Sequence, residues 1–211
     1  MAEYIQLFIG LFTDLQATLQ TFITMLGPWV YVLLFAIIFA ETGLVVTPFL
    51  PGDSLIFVIG MLVALGLLSF PITLTVLLSA AILGDTVNYH IGKFIGPKAF
   101  SMNSRFLKQE HLTKAQEFYE KHGPQTIIMA RFVPIVRTFA PFVAGISTMN
   151  YRKFIVYNIV GAVLWVVGLL IAGYFLGGIE IIKKNLEKVL ILIVFISVLP
   201  IIIEYWKNRK K

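Results

Sequence analysis

Cysteine is missing from all 211 residues, which excludes a disulfide framework, a thiolate nucleophile and a thiolate metal site. Charge is scarce as well. Asp, Glu, Lys and Arg make up only 13% of the chain, against about 25% in an ordinary soluble domain, and this excludes both a disordered chain and a nucleic-acid-binding arm. The first 26 residues contain no Lys or Arg ahead of an apolar core. A cleaved secretory signal starts with basic residues, so this segment is expected to stay in the mature chain. Hydrocarbon fills the space that charge leaves: 58% of residues are hydrophobic and the mean hydropathy is +0.88. Several runs reach the roughly 20 residues that cross about 30 Å of bilayer core. The expectation is an all-α polytopic membrane protein with a single domain over residues 1–211.

The net charge of +6 does not describe a nucleic-acid surface, because the bases border membrane segments. Lys93, Lys98, Arg105, Lys108, Lys114 and Lys121 occupy the one long polar stretch, residues 90–123, and Lys207, Arg209, Lys210 and Lys211 close the sequence. The preference of basic loops for the cytoplasm places both there.

Residues 4–26 interrupt Phe8, Leu11, Phe12, Leu15 and Leu19 with Asp14, Gln16 and Gln20, the pattern of an amphipathic helix lying in the interface. Residues 28–68 hold a first span and a break. The part over 28–47 is long enough to cross but carries Glu41, and Pro48, Pro51 and Gly52 then stop a helix, since each proline removes an N–H and restricts its predecessor. Asp53 or Ser54 is placed to cap the next helix. The apolar run over 55–68 is short for a span and suits a re-entrant arm. Residues 70–89 read as a span with Asp85, Asn88 and Tyr89 near its inner end. Within 90–123, Phe106, Leu107, Leu112, Ala115, Phe118 and Tyr119 leave a helical apolar stripe, as on a helix at the membrane surface.

Residues 124–147 are apolar but contain Arg131, Pro134, Arg137 and Pro141, while 154–178 and 189–206 are conventional spans separated by Lys183, Lys184 and Lys188. A full crossing by 124–147 would put the basic tail on the opposite side from the basic loop. A segment that turns back returns both to the cytoplasm, so 124–147 is read as a re-entrant hairpin entered from inside. Two broken segments then correspond: Glu41, Pro48, Pro51, Gly52 and Asp53 in one, and Arg131, Pro134, Arg137, Pro141 and Gly145 in the other. Interrupted segments in matching positions of two halves point to an inverted-repeat transporter with opposed re-entrant hairpins and a site near the bilayer midplane.

Lipid-facing charge is expensive, roughly 2.5–3.5 kcal/mol for an Arg or Asp at a helix centre. Four such groups would cost on the order of 10 kcal/mol, comparable to a whole protein's stability. They must face one another or water. In an unbroken helix Arg131 and Arg137 would lie about 120° apart around the axis. A turn at Pro134 instead aims both into one cavity, the only setting in which irregular backbone persists at membrane depth. Guanidinium forks suit an anionic head group, with Glu41 and Asp53 as titratable partners that accept protons. The plainer reading is two internal ion pairs that merely close the fold.

Other signals are weaker. Asp85, Asn88 and Tyr89 form a candidate polar path or anchor the end of their span. His90, His111 and His122 have no metal-ligand spacing, and neither a metal nor a cofactor is expected. Ser104-Arg105 followed by His111 matches a fragment of a lipid phosphatase motif whose acid and companion element are missing. Gly161, Gly168, Gly173, Gly177 and Gly178 indicate close helix packing, and Trp165 and Tyr174 read as core or interface aromatics.

Five motifs stand out: Phe-Ala-Glu41-Thr-Gly; Thr47-Pro-Phe-Leu-Pro-Gly-Asp53-Ser-Leu; Gly84-Asp-Thr-Val-Asn-Tyr89; Phe118-Tyr-Glu-Lys-His-Gly123; and Ala130-Arg-Phe-Val-Pro-Ile-Val-Arg-Thr-Phe-Ala-Pro-Phe-Val-Ala-Gly145. Together they resemble the DedA family over roughly residues 28–178. The resemblance implies a bacterial inner-membrane protein with two facing re-entrant hairpins, which moves undecaprenyl phosphate or phosphatidylethanolamine between leaflets and depends on the proton motive force. By motif position, the family's essential acids fall on Glu41 and Asp53 and its essential arginines on Arg131 and Arg137.

The leading expectation is thus a lipid transporter or flippase, not an enzyme, whose partners are a phosphate-headed lipid and protons or sodium. A second copy of the chain stays a candidate partner, and nucleic acid does not. The alternatives are a proton- or sodium-coupled ion antiporter using the same acids, a membrane enzyme acting on a lipid phosphate, and an assembly factor whose buried charges only set helix register.

Overall fold

The computed structural model describes residues 15–44, 52–95, 109–147, 149–185, 188, 189 and 192, and these are helical with short connections. In chain order the helices are α1 (Leu15–Leu26), α2 (Trp29–Gly43), α3 (Gly52–Ala64), α4 (Phe70–Ile95), α5 (Gln109–His122), α6 (Thr126–Ala130), α7 (Pro134–Ile146), α8 (Tyr151–Gly178) and α9 (Glu180–Lys184). A 3-10 turn over Gly123–Gln125 joins α5 to α6.

Length separates the helices that can span from those that cannot. With 26 and 28 residues, α4 and α8 extend about 39 and 42 Å at 1.5 Å per residue, beyond the roughly 30 Å of a hydrocarbon core. Among the described residues these two are long and apolar enough to cross a membrane. Helix α2 has only 15 residues, about 22 Å. It becomes a third candidate if joined to Gln20–Leu26, from which it is bent by 98°. Gly27 makes that bend with a φ of 51°, a left-handed conformation open to glycine, and Pro28 follows with its φ already set for a new helix start.

The chain divides into two units. One contains the described parts of Met1–Val32, Pro51–Thr73 and Leu169–Lys211. Within it α3 lies directly against the end of α8. A Cβ on Gly60 would sit 2.3 Å from the Leu170 carbonyl oxygen, one on Gly173 would sit 2.0 Å from that of Phe57, and one on Gly177 would sit 2.7 Å from Met61 Cα. Helix α3 ends in a Schellman turn at Gly66 (φ 77°), where Leu67 N–H donates to the Leu62 carbonyl at 3.0 Å. Ser69 N–H then donates to Tyr31 Oη at 2.9 Å.

The other unit contains the described parts of Leu33–Leu50 and Leu74–Gly168, and its axis is α4. Gly84 meets Gly43 of α2, with Cα of Gly84 only 3.3 Å from where a Gly43 Cβ would be. One turn pair further on, Gly92 and Gly145 let α4 and α7 touch: a Cβ on either would lie 2.1 Å from a backbone oxygen of the opposite helix, Phe142 or Tyr89. Apolar side chains seal the crossing. Phe139, Phe142, Val143 and Ile146 of α7 pack with Ile91 and Ile95 of α4 and Tyr119 of α5. Tyr89, Ile127, Ala130, Val136, Ala140, Ala144, Met149 and Phe154 form a second cluster.

Several expectations change in detail. The span expected over 70–89 continues to Ile95 and that over 154–178 begins at Tyr151, so the first residues of the polar section 90–123 belong to α4. The rest of that section supplies α5, whose Tyr119 packs on α7. Segment 124–147 is interrupted, as its prolines suggest, but at one place: α6 ends at Ala130 and α7 starts at Pro134. Pro141 shapes no turn and lies inside α7, where a proline removes a single intrahelical donor. Gly145 likewise is a helical packing glycine, since its missing Cβ is what admits α4. Gly52 opens α3 and Asp53 falls inside its first turn, where exposed N–H groups favour a carboxylate; it is not the cap residue. Gly161, Gly173 and Gly177 are packing positions, whereas Gly168 and Gly178 have open space where a Cβ would go. Residues 4–14, Pro48, Pro51, 96–108, and the span expected over 189–206 apart from Val189 and Leu192 lie outside the described residues.

The glycine contacts predict a graded response. Gly145→Ala should destabilise the protein by about 1–3 kcal/mol through overpacking, while Gly168→Ala should be neutral or slightly stabilising. Thermal unfolding in detergent measures both, and equal midpoints for the two variants would contradict the close crossing.

Candidate functional site

Helix periodicity places Gly84, Asp85, Asn88, Tyr89 and Gly92 on one face of α4. Asp85, Asn88 and Tyr89 are all buried. On α8 the same rule aligns Phe154, Asn158, Gly161, Ala162 and Trp165, also buried. Between these faces comes the break after α6. Arg131 occupies the C-cap of α6, and Pro134 stands at the start of α7, which puts Arg137 in that helix's first turn.

Arg131 is only 2% exposed. Its Nη2 donates to Asp85 Oδ2 at 2.5 Å and to Asn158 Oδ1 at 2.6 Å. The amide of Asn158 is itself oriented by donation from Nδ2 to the Ile82 carbonyl at 3.0 Å. Gly161 leaves room for the Arg131 stem: a Cβ there would lie 3.1 Å from both Cδ and Nε. Nε and Nη1 of Arg131 meet no acceptor among the described residues.

Arg137 forms the second pair, with Nη2 donating to Glu41 Oε1 at 2.6 Å. Glu41 is in the last turn of α2 and Arg137 in the first turn of α7, the ends at which helix dipoles disfavour a carboxylate and a guanidinium respectively. Each charge therefore opposes its own helix and is stabilised by the other. Asn88 holds the two helix ends in register. Its Nδ2 donates to the Thr42 carbonyl at 3.1 Å and to the Thr138 carbonyl at 2.9 Å, the residues that follow Glu41 and Arg137.

Both guanidiniums lie over one indole. The Arg131 Cζ is 5.6 Å and the Arg137 Cζ 5.1 Å from the Trp165 ring centroid, within cation–π range. Tyr89 is a tether: its hydroxyl donates to the Met149 carbonyl, and its ring stacks on Phe154 at 4.4 Å.

Of the residues singled out in the sequence, Glu41, Arg131, Arg137, Asp85 and Asn88 are thus gathered in one unit. Asp53 is half-buried in the other unit, at the start of α3. The expected pairing of the arginines with Glu41 and Asp53 becomes, in this unit, Glu41 with Arg137 and Asp85 with Arg131. Asn158, Thr42, Thr138 and the role of Trp165 were missed. Asn158 and Trp165 had a signal, namely polar and small residues at helical spacing on an otherwise apolar span. The two threonines act through backbone carbonyls, which no side-chain pattern reveals.

These features define a polytopic helical membrane protein with paired charges buried in its interior. Residues 50–175 match the VTT domain family. The chain is 52% identical over 187 residues to protein DedA of Escherichia coli K12, covering 87% of this chain and 85% of that protein. It is 46% identical over 175 residues to an uncharacterised membrane protein of Mycobacterium leprae, covering 82% and 78%. Identity to inner membrane protein YqjA of Escherichia coli K12 is 33% over 202 residues, covering 90% and 92%. No solved structure matches. The chain belongs to the DedA family of VTT-domain membrane proteins.

Asn88→Leu removes the donor from two buried carbonyls, each worth about 1–3 kcal/mol when left unsatisfied. A clearly lowered unfolding midpoint in detergent is expected. A midpoint equal to wild type would mean that Asn88 does not hold α2 to α7.

Proposed function

We propose that this protein is a carrier, not an enzyme, that moves a phosphate-headed lipid such as undecaprenyl phosphate, or phosphatidylethanolamine, between the leaflets of the bacterial inner membrane, coupled to the proton motive force. The observation that carries the reading is the gathering of Arg131 and Arg137 over the single ring of Trp165. Two like charges repel, and ion pairs that only closed the fold would gain by lying apart. Adjacent guanidiniums suit a ligand whose own negative charge spans both.

The chemistry gives transport a definite energetic form. Moving one negative charge toward a negative interior costs about 2.3 kcal/mol per 100 mV, and a phosphate monoester carries about 1.5 to 2 negative charges near neutral pH. Protons taken up on acids, Glu41 and Asp53 among them, offset that charge. In this reading residues 1–211 act as one membrane domain. Segments 41–53 and 124–147 are opposed re-entrant hairpins related as an inverted repeat, and loop 90–123 and the C-terminus are cytoplasmic. The break between α6 and α7 supports such a hairpin, because interrupted backbone at membrane depth lines a cavity.

A leaflet-resolved assay with purified protein in proteoliposomes tests this. Lipid movement driven by a proton gradient is expected for wild type, loss of coupling for Glu41→Gln, and weakened head-group binding for Arg137→Lys, which keeps charge but loses the planar fork. Unchanged coupling in Glu41→Gln would remove that residue's role. Cation flux with no lipid movement would favour a proton- or sodium-coupled antiporter instead.

A further inference from the structure

Among the described residues the two ion pairs of the buried site contain two guanidiniums and two carboxylates, Arg131 with Asp85 and Arg137 with Glu41. The cluster is balanced before any anion arrives. Adding a phosphate to a balanced, buried cluster leaves it negative in a low-dielectric setting, which is strongly unfavourable unless a carboxylate gives up its charge.

Asp85 is placed to do so. It is buried at 3% exposure, and its Oδ2 occupies Nη2 of Arg131 beside an Nη1 that meets no acceptor among the described residues, so a phosphate gripping both Nη atoms as a fork displaces it. The groups facing it are Arg131 from the end of α6, Asn158 from α8, and the charges of Arg137 on α7 and, through Arg131, of Glu41 on α2. On α4 itself, Tyr89 turns its hydroxyl away to Met149. Asn158 also contacts Nη2 of Arg131 through Oδ1, so the guanidinium stays anchored when Asp85 lets go.

Resting on the head-group reading above, we infer that Asp85 is a proton-binding residue of this site. A phosphate oxygen replaces Asp85 Oδ2 on Arg131 Nη2, and the released carboxylate takes a proton from a hydronium ion of the solvent, forming an O–H bond on the side chain and leaving a water molecule. Each negative charge that enters is matched by one proton gained, and the same exchange between Glu41 and Arg137 accommodates a second charge. A head group of charge near −2 then travels in an electrically neutral complex, and the acids that load the protons are the ones that hold the arginines when the lipid is absent.

The test is an infrared difference spectrum of the full-length protein in detergent, recorded on adding a short-chain alkyl phosphate. In wild type a protonated-carboxyl carbonyl band should appear on binding. Its aspartate component should shift when aspartate is labelled with carbon-13 at the side-chain carboxyl, and that label-sensitive component should be lost in both Asp85→Glu and Asp85→Asn, while a Glu41 component stays. If Asp85→Asn fails to fold, labelled wild type and labelled Asp85→Glu decide together: no label-sensitive band in wild type overturns the inference, and a label-sensitive band that persists in Asp85→Glu assigns the proton to another aspartate and overturns it as well. Binding with no label-sensitive band leaves the head-group reading standing without a proton on Asp85. Failure of wild type to bind the alkyl phosphate removes the head-group reading itself, and the role of Asp85 with it.

Discussion

A guanidinium buried among apolar side chains has to be matched by a carboxylate and by further acceptors, because an unmatched ion in that setting costs several kcal/mol. The second unit is organised around meeting that requirement twice, for Arg131 and for Arg137. Short side chains, Asp85 and Asn158, match Arg131, and another, Asn88, bonds the backbone beside Glu41 and Arg137. Asp85, Asn88 and Asn158 each reach only a few bonds from the main chain, so the helices that carry them have to come very close.

Glycine makes that approach available. Where Gly43 meets Gly84, and Gly92 and Gly145 meet the facing backbone, there is no Cβ to hold the helices at the usual 8–10 Å axial separation. The chain thus spends its small residues where its charged residues need them, and the two patterns interleave along α4: Gly84, Asp85, Asn88, Gly92. The amide of Asn88, shared between α2 and α7, connects the two patterns by fixing the backbone beside Glu41 to the backbone beside Arg137. Trp165 completes the arrangement as a common floor for both guanidiniums.

Much of this was legible in the sequence. Composition alone indicates an all-helical membrane protein, the prolines mark the interruption after Ala130, and the cost of lipid-facing charge selects Glu41, Asp53, Arg131 and Arg137, of which Glu41, Arg131 and Arg137 are gathered in one unit. The partner of Arg131 was not legible in the same way. Asp85 lies within a segment that reads as a span and is equally consistent there with a polar path or an anchor, and which acid reaches which base depends on the rotation of α4 against α7. Pro141 misled for a related reason. Inside an apolar helix a proline's local cost is outweighed by tertiary packing, and Phe142, Val143 and Ile146 beyond it are buried. The motifs that tie the chain to the DedA family include Glu41, Asp85, Asn88, Arg131 and Arg137, so family resemblance and charge arithmetic meet on Glu41, Arg131 and Arg137, while Asp53, which both also select, lies in the other unit.

The ion pair between Arg131 and Asp85 bears most directly on all of this, and a double-mutant cycle measures it. Arg131→Leu and Asp85→Leu each strand a buried charge and should each cost about 3–5 kcal/mol, read from unfolding of the purified protein in detergent. The double variant, with neither charge, should recover much of that loss. Losses that simply add would contradict a direct contact between the two side chains.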